Sequence, residues 1–442
     1  MKRLMLSAMH SGDGKTVVTC GLLRAFQRRG LTVESFKCGP DYIDPMFHRQ
    51  VLGHPSRNLD LFLQGEKGVK RTLSKQRAEL ALVEGAMGLY DGVSGTHEAS
   101  AWQTAETAGL PVVLVVRPKG ISLTLAAQLR GMLDFRSPSH IAAVLLTDCK
   151  GALYDHLRPV IEGTGLRALG YLPPMEEAVL ESRHLGLVTP EEVTDLQRRF
   201  DAIAAQMERT ADLDGLLDLA AERDTGPVTT AFPARCRIAV SRDEAFCFVY
   251  QDSLEALEAA GAELVYFSPL RDSPPAGIHG LYLVGGYPEL YGQALSNNIS
   301  MLEWVSGAVA DGLPTVAECG GFLYLLHDLI DRNGRAWPMA GVIPGGSRPT
   351  DSLRRFGYLR LWSEADSLLF RAGERVPAHE FHYWETDRTG DDLRAEKPSG
   401  KTWQCCYAGP NLYAGFPHLH LGGPVPLAER FAEAAVRYKE KR

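Results

Sequence analysis

The sequence predicts an α/β protein of two domains in series. Three observations carry this. Short apolar runs alternate with amphipathic stretches through roughly the first 170 residues, the same rhythm restarts after residue 233, and a polar stretch lies between. With 442 residues the chain exceeds one ordinary domain, and at about 150 residues per domain two or three fit. In the first half, Leu4–Ser7, Val33–Phe36, Leu80–Val83, Val112–Val115 and Ala142–Leu146 read as buried strands. Helical segments run between them, among them Val17–Arg29 and Ala99–Ala108. That alternation implies βαβ units around a mostly parallel sheet. From Pro190 to about Arg223 the chain is rich in Glu, Arg, Ala and Leu and reads as a helical spacer. The polar stretch Asp224–Thr230 marks the boundary. Strands follow at Arg237–Val240, Glu263–Phe267, Gly280–Val284 and Pro314–Glu318, with helices at Asp252–Ala260 and Ile299–Asp311. The expected division is a first domain over 1–189, spacer and linker over 190–233, and a second domain over 234–442.

Composition narrows the class. The chain is 45% hydrophobic and 23% charged, with formal net charge −7 and no basic block. Binding by counterion release calls for a basic excess, so nucleic acid is not an expected partner. No run approaches the roughly 18 apolar residues of a membrane span, and no membrane partner is expected. The apolar start is broken by His10 and Gly12, unlike the core of a signal peptide. Eight scattered cysteines without a CxxC pair fit reduced thiols and a cytoplasmic setting.

The first chemistry is a phosphate cradle. Ser11-Gly12-Asp13-Gly14-Lys15-Thr16 follows a predicted strand and opens a predicted helix. Glycines there let backbone N–H groups close around phosphate oxygens, Lys15 supplies a charge for the β/γ-phosphates, and Thr16 can ligate Mg²⁺. Met9 stands where GxxxxGK(S/T) has its first glycine. Two acidic segments follow the next strands, Lys37–Pro45 and Glu84–Gly92. Ligands of open α/β sheets bind beyond the carboxyl ends of strands, so both should converge on the cradle. Asp41, Asp44, Glu84 and Asp91 are then candidate Mg²⁺ ligands or substrate-positioning groups. Against this stands the ordinary use of Asp in turns, a weaker account of Glu84 at a strand end.

The second chemistry is a thiol. Thr315–Phe322 runs from a strand into a small-residue turn and on to a helical run expected over Phe322–Leu329. This is the pattern of a nucleophile elbow, which exposes Cys319 at the top of the sheet beside a helix N-terminus. Val284–Glu289 is another strand-to-glycine turn, and the backbone N–H of Gly286 with that of Gly320 could form an oxyanion hole. The other seven cysteines read as small buried hydrophobes. Candidate bases are His379, His382, His418 and His420. Spacing leaves the choice among them open.

These residues resemble the cobyrinic acid a,c-diamide synthases, ATP-dependent amidoligases that use glutamine. The matching blocks span almost the whole chain: FKCGPDYIDP, NLDLF, EGAMGLYDG, ESRHLGLVTP, AFCFVY, ELVYFSPLRD, GLYLVGGYPELY, AECGGFLYL, HEFHY and HLHL. The resemblance implies an N-terminal P-loop domain similar to dethiobiotin synthetase. It also implies a C-terminal class I glutamine amidotransferase domain of flavodoxin-like build. Cys319 would attack the glutamine carboxamide and His418 would raise its nucleophilicity. ATP with Mg²⁺ would phosphorylate a macrocycle carboxylate, and ammonia would displace phosphate. Gly12, Asp13, Gly14, Lys15, Thr16 and Lys37 would bind ATP. Thr16, Asp41 and Glu84 would hold the metal, and Tyr42, Ile43, Asp44 and Asp91 would present the substrate. The implied partners are a corrinoid or related tetrapyrrole, L-glutamine and ATP; a homodimer is the expectation for assembly. Hydrogenobyrinic acid and nickel-sirohydrochlorin are the alternative macrocycles. A P-loop switch protein would lack a use for the second domain, and cobyric acid synthase typically carries His-Gly-Leu-Phe where this chain has His418-Leu419-His420-Leu421. The chain departs from its relatives at three places. His420 stands where many class I amidotransferases have Glu, Arg117 replaces a usual Asp, and Thr147 replaces an Asn expected to read the base.

Overall fold

The computed structural model describes residues 1–75, 77–179, 182–183, 186–187, 189–224, 226 and 233–442. Its contacts divide into two units, Met1–Val228 and Thr229–Arg442. Most of the linker expected at 224–233, and part of the ESRHLGLVTP block, lie outside the described residues.

The first unit runs β1 (Lys2–Ala8), α1 (Lys15–Arg28), β2 (Val33–Cys38), α2 (Ile43–Leu52), β3 (Arg57–Leu59), α3 (Leu61–Lys75, broken at Gly65) and β4 (Leu80–Glu84). It continues with α4 (Ala101–Ala108), β5 (Val112–Val116), α5 (Thr124–Asp134), β6 (Ile141–Thr147), α6 (Gly151–Glu162) and β7 (Arg167–Leu172). Strands pair in the order β3-β2-β4-β1-β5-β6-β7, all parallel. β4 and β5 are buried along their whole length and β1 on all but Lys2. Helices on both faces require that of a parallel sheet, which is why these strands read as unbroken apolar runs.

The segment expected as a spacer is instead built into this unit. After a short antiparallel pair, β8 (Ser182–Arg183) with β9 (Gly186–Leu187), come α7 (Leu196–Thr210), α8 (Leu213–Leu219) and β10 (Ala221–Glu222). α7 buries Leu196, Phe200, Ile203, Ala204 and Met207, a helical stripe, and packs against α1. β10 pairs antiparallel with the start of β1. Full burial of each large apolar side chain stabilises by about 1.5–3 kcal/mol, enough to hold such a helix on a domain.

The second unit contains two sheets. One is formed by β11 (Cys236–Ser241), α9 (Gln251–Ala259), β12 (Ala262–Phe267), β13 (Gly280–Leu283), α10 (Gly292–Asn297), α11 (Ile299–Ala310) and β14 (Thr315–Glu318) with later strands. The helical run expected to Leu329 ends early: α12 spans Gly320–Leu325 and β15 spans Leu326–Ile330. β15 opens a second sheet with β16 (Ala336–Pro338), β17 (Ile343–Ser363), β18 (Arg375–Thr386), β19 (Leu393–Glu396) and β20 (Thr402–Cys405). The chain then returns through β21 (Tyr407–Ala408) and β22 (Leu412–Gly415) to the first sheet, whose order is β12-β11-β13-β14-β22-β21. Its first five strands are parallel in the flavodoxin-like order. β23 (His418–Leu419) joins β18, and α13 (Leu427–Glu440) closes the unit. Among the described residues no helix is long and apolar enough to cross a membrane.

Candidate active sites

In the first unit the cradle forms where β1 turns into α1. Gly12 and Gly14 take φ of 88° and 89°, a left-handed region that side chains other than glycine adopt only under strain. Thr147 Oγ1, at the end of β6, donates to Asp13 O at 2.7 Å and pins the turn. Asp13 is buried and bonds back to His10, with ring Nδ1 2.9 Å away. Burial raises its carboxyl pKa, and His10 opposes that. Lys15 Nζ is turned onto loop carbonyls, donating to Met87 O at 2.7 Å and His10 O at 3.2 Å.

The strand-end loops meet beside it. Thr16 Oγ1 lies 2.9 Å from Glu84 Oε1 and 3.2 Å from Asp44 Oδ1. Lys37 Nζ reaches Asp44 Oδ2 at 2.5 Å and Glu84 Oε1 at 2.8 Å. Glu84 Oε2 pairs with His48 Nε2 at 2.7 Å, and His48 Nδ1 sits 3.3 Å from Ser56 Oγ. Burial alone would raise the Glu84 pKa, but Lys37 and the His48 hydrogen bond hold it well below the usual carboxylate range. Burial, then Asp41, pushes Asp44 the other way. For Lys37, burial is outweighed by Asp44 and Glu84, so the amine stays a cation.

Not every expected residue takes its expected place. Asp41 Oδ1 accepts from the N–H groups of Ile43 and Asp44, at 2.8 and 3.1 Å, and so caps α2. Tyr42 precedes that helix, and Ile43 is buried in its first turn. Asp91 Oδ2 accepts from Gly88 N–H at 2.9 Å and fixes the loop after β4. Arg117 pairs with Asp148, at exposed strand ends. A hydroxyl beside two carboxylates is a hard oxygen donor set and fits Mg²⁺, which characteristically completes its shell with phosphate and water. His48 escaped the sequence reading because nothing in its local pattern marks it. Only the fold brings α2 against the end of β4.

In the second unit Cys319 carries φ 48° and ψ −103° at the junction of β14 and α12, the strained turn of a nucleophile elbow. Its N–H donates to Gly415 O at 2.7 Å. A Cβ on Gly320 would sit 2.9 Å from Gly286 N, and one on Gly286 would meet Ala245 O at 2.1 Å. Only glycine fits at each of these two close backbone approaches. Burial, then Glu289, pushes the Cys319 thiol far up. The resting group is therefore a thiol that needs a base. Glu289, in the turn after Gly286, is itself raised to about 7 by burial.

The four histidines separate clearly. His382 is bound by Glu380 at 2.8 Å and stacks on Phe416 with 3.7 Å between centroids. His420 stacks on Tyr250. His379 lies in β18 across from His418, and burial lowers its pKa to about 3. His418 is buried, with Nδ1 3.7 Å from Glu318 Oε2. A Cβ on Gly285 would be 2.4 Å from its Cε1, so the ring lies directly on that backbone. Glu318 also accepts from Tyr282 OH at 3.1 Å and Leu419 N–H at 2.9 Å. Glu318 is a site residue absent from the candidates that motif and spacing single out. It shares with Glu84 the one available signal, a carboxylate ending a wholly buried strand.

Residues 4–188 match the CobQ/CobB/MinD/ParA nucleotide binding domain, and residues 237–424 match the CobB/CobQ-like glutamine amidotransferase domain. This is a nucleotide-binding domain joined to a glutamine amidotransferase domain. The cobyrinate a,c-diamide synthase of Clostridium tetani is 36% identical over 98% of this chain and 100% of its own length. That of Clostridium acetobutylicum is 37% identical over 96% and 98%, and that of Salmonella typhimurium 36% over 98% and 98%. The chain belongs to the cobyrinate a,c-diamide synthase family.

Proposed function

We propose that this enzyme amidates the a and c side-chain carboxylates of cobyrinic acid, with ATP and glutamine as co-substrates. The observation that carries the reading is one chain holding a phosphate cradle with converging carboxylates and a strained thiol elbow directly after Glu318, whose carboxylate lies 3.7 Å from His418. In the second unit, His418 takes the Cys319 proton as sulfur attacks the glutamine carboxamide. Gly286 and Gly320 N–H groups receive the developing oxyanion. The proton then passes to the departing nitrogen, NH₃ leaves, and water hydrolyses the γ-glutamyl thioester to glutamate.

In the first unit, the amides of Gly12, Asp13 and Gly14 cradle the phosphates, and Lys15 exchanges its carbonyl partners for phosphate oxygens. Thr16 and Glu84 would hold Mg²⁺, with Asp44 beside them and Asp41 acting through the start of α2. When bound, that ion supplies charge neutralisation at the phosphates. Lys37 keeps Glu84 ionised and aimed. Tyr42, Ile43, Asp44 and Asp91 border the place where a substrate carboxylate would meet the γ-phosphate. Phosphoryl transfer converts the poor electrophile into an acyl phosphate and releases ADP. Ammonia displaces phosphate to give the amide.

A cytoplasmic setting and a homodimer belong to the same reading. Eight free thiols favour the first, and sedimentation velocity tests the second. Product mass after incubation with ATP, glutamine and each of cobyrinic acid, hydrogenobyrinic acid and nickel-sirohydrochlorin tests the substrate. Two amidations of cobyrinic acid are expected. Turnover of another macrocycle alone would overturn the assignment.

A further inference from the structure

We propose that Glu318, the residue directly before the nucleophile, is the acidic positioning residue of His418 and replaces the Glu that other class I amidotransferases place two residues after that histidine. The position two residues on is His420, whose ring is stacked 5.0 Å from Tyr250. Glu318 Oε2 lies 3.7 Å from His418 Nδ1, within ion-pair reach of a protonated ring. It approaches from β14, the strand that carries Cys319, whereas His418 arrives from β23. The pair therefore ties the nucleophile's strand to the base.

Three features give Glu318 more than a structural part. Its side chain is 1% exposed, and burying a carboxylate costs several kcal/mol unless a cation or strong donors repay it. The two donors it holds, Tyr282 OH and Leu419 N–H, would be served as well by a neutral acceptor. A carboxylate at that place can stabilise a cation, and the group that becomes one during thiol attack is the His418 imidazole. Second, the contact is made at Nδ1, which leaves the base role to Nε2, as a carboxylate–imidazole–nucleophile relay requires. Third, the backbone at Gly285 lies close against Cε1 of the ring, so that packing and the Glu318 contact together fix where the imidazole sits. The 3.7 Å separation is an ion-pair distance, and such contacts tighten when substrate fills a site.

The proton inventory is simple. The thiol proton moves to His418 Nε2 as the S–C bond forms, and the same proton leaves with the nitrogen as the C–N bond breaks. Glu318 exchanges no proton. The groups facing the pair are Tyr282 from β13, Tyr413 from β22, His379 from β18 and Cys319 itself, with Glu289 and Glu380 within electrostatic reach of the thiol. Burial, then Glu318, holds the Tyr282 phenol well above its ordinary pKa, so it remains a donor.

This inference rests on the glutaminase reading, which Cys319→Ser tests by itself. Glutaminase kinetics of Glu318→Gln, with the pH dependence of Cys319 alkylation by iodoacetamide, test the inference. We expect kcat to fall about 100-fold with KM for glutamine within about two-fold. The alkylation midpoint should rise by about one pH unit as the imidazolium loses its partner. A kcat within about three-fold of the parent value, or a fall with an unmoved alkylation profile, would overturn the role while leaving the Cys319 reading intact. Should Glu318→Gln not fold, Tyr282→Phe decides. It removes a competing donor from Glu318 Oε2, so the alkylation midpoint should move down, and no movement or an upward one contradicts the proposal.

Discussion

Lys37 illustrates how single charges hold the first site together. It is buried between Asp44 and Glu84, and without it two carboxylates would share a dry pocket. Breaking a buried ion pair by removing one partner costs about 3–5 kcal/mol, so Lys37→Ala should lower the stability of the first unit by that order and abolish ATP-dependent amidation. Glutaminase activity should persist. Calorimetric unfolding and a glutamate-release assay check both halves of that statement. His379 makes a pH-dependent counterpart in the second unit. Its pKa falls from 6.5 to about 3 because the ring is buried, with the charge of His418 adding to the effect. The unfolded chain therefore binds more protons across that window, and stability is lost as pH falls through it. At pH 5 the cost is about 2 kcal/mol. His379→Gln should flatten the decline between pH 7 and 5, seen as a smaller drop in Tm; an equal drop would show that other groups dominate.

At the scale of elements, the legible parts are those whose burial is one-sided or complete. β1, β4 and β5 announce themselves as apolar runs, and the cradle and elbow follow strand ends, where short motifs suffice. The second sheet of the Thr229–Arg442 unit was not legible. β17 alternates between buried and exposed irregularly and carries bulges against β18, so it lacks a period-2 pattern. Yet β18 is the strand that pairs with β23 and His418, so that histidine is placed by an element that local pattern could not reveal. α7 misled for a different reason. Its composition reads as solvated, but Gly21 on α1 lets the two helices close: a Cβ there would lie 2.6 Å from Ile203 Cγ2. Gly21→Leu should therefore cost the first unit about 1–3 kcal/mol by overpacking, measured as a lower unfolding midpoint with glutaminase kcat unchanged. An unaltered midpoint would mean that α7 contributes little to that unit.

For the whole molecule, composition excluded more than it identified. A net charge of −7 gives no general attraction for a polycarboxylate macrocycle, so recognition must rest on local groups such as those around Lys37 and Asp44. One unit matches a nucleotide binding domain and the other a glutamine amidotransferase domain, and the proposed function assigns one half-reaction to each: activation of a carboxylate to the first, release of ammonia from glutamine to the second. The central claim is that these are separable chemistries joined by ammonia. Product mass from Cys319→Ala, incubated with cobyrinic acid and ATP at high pH, tests it most directly. With ammonium as nitrogen source the variant should form the diamide, and with glutamine it should form none. Amidation from glutamine, or failure with ammonium in a variant that still binds ATP, would contradict the account.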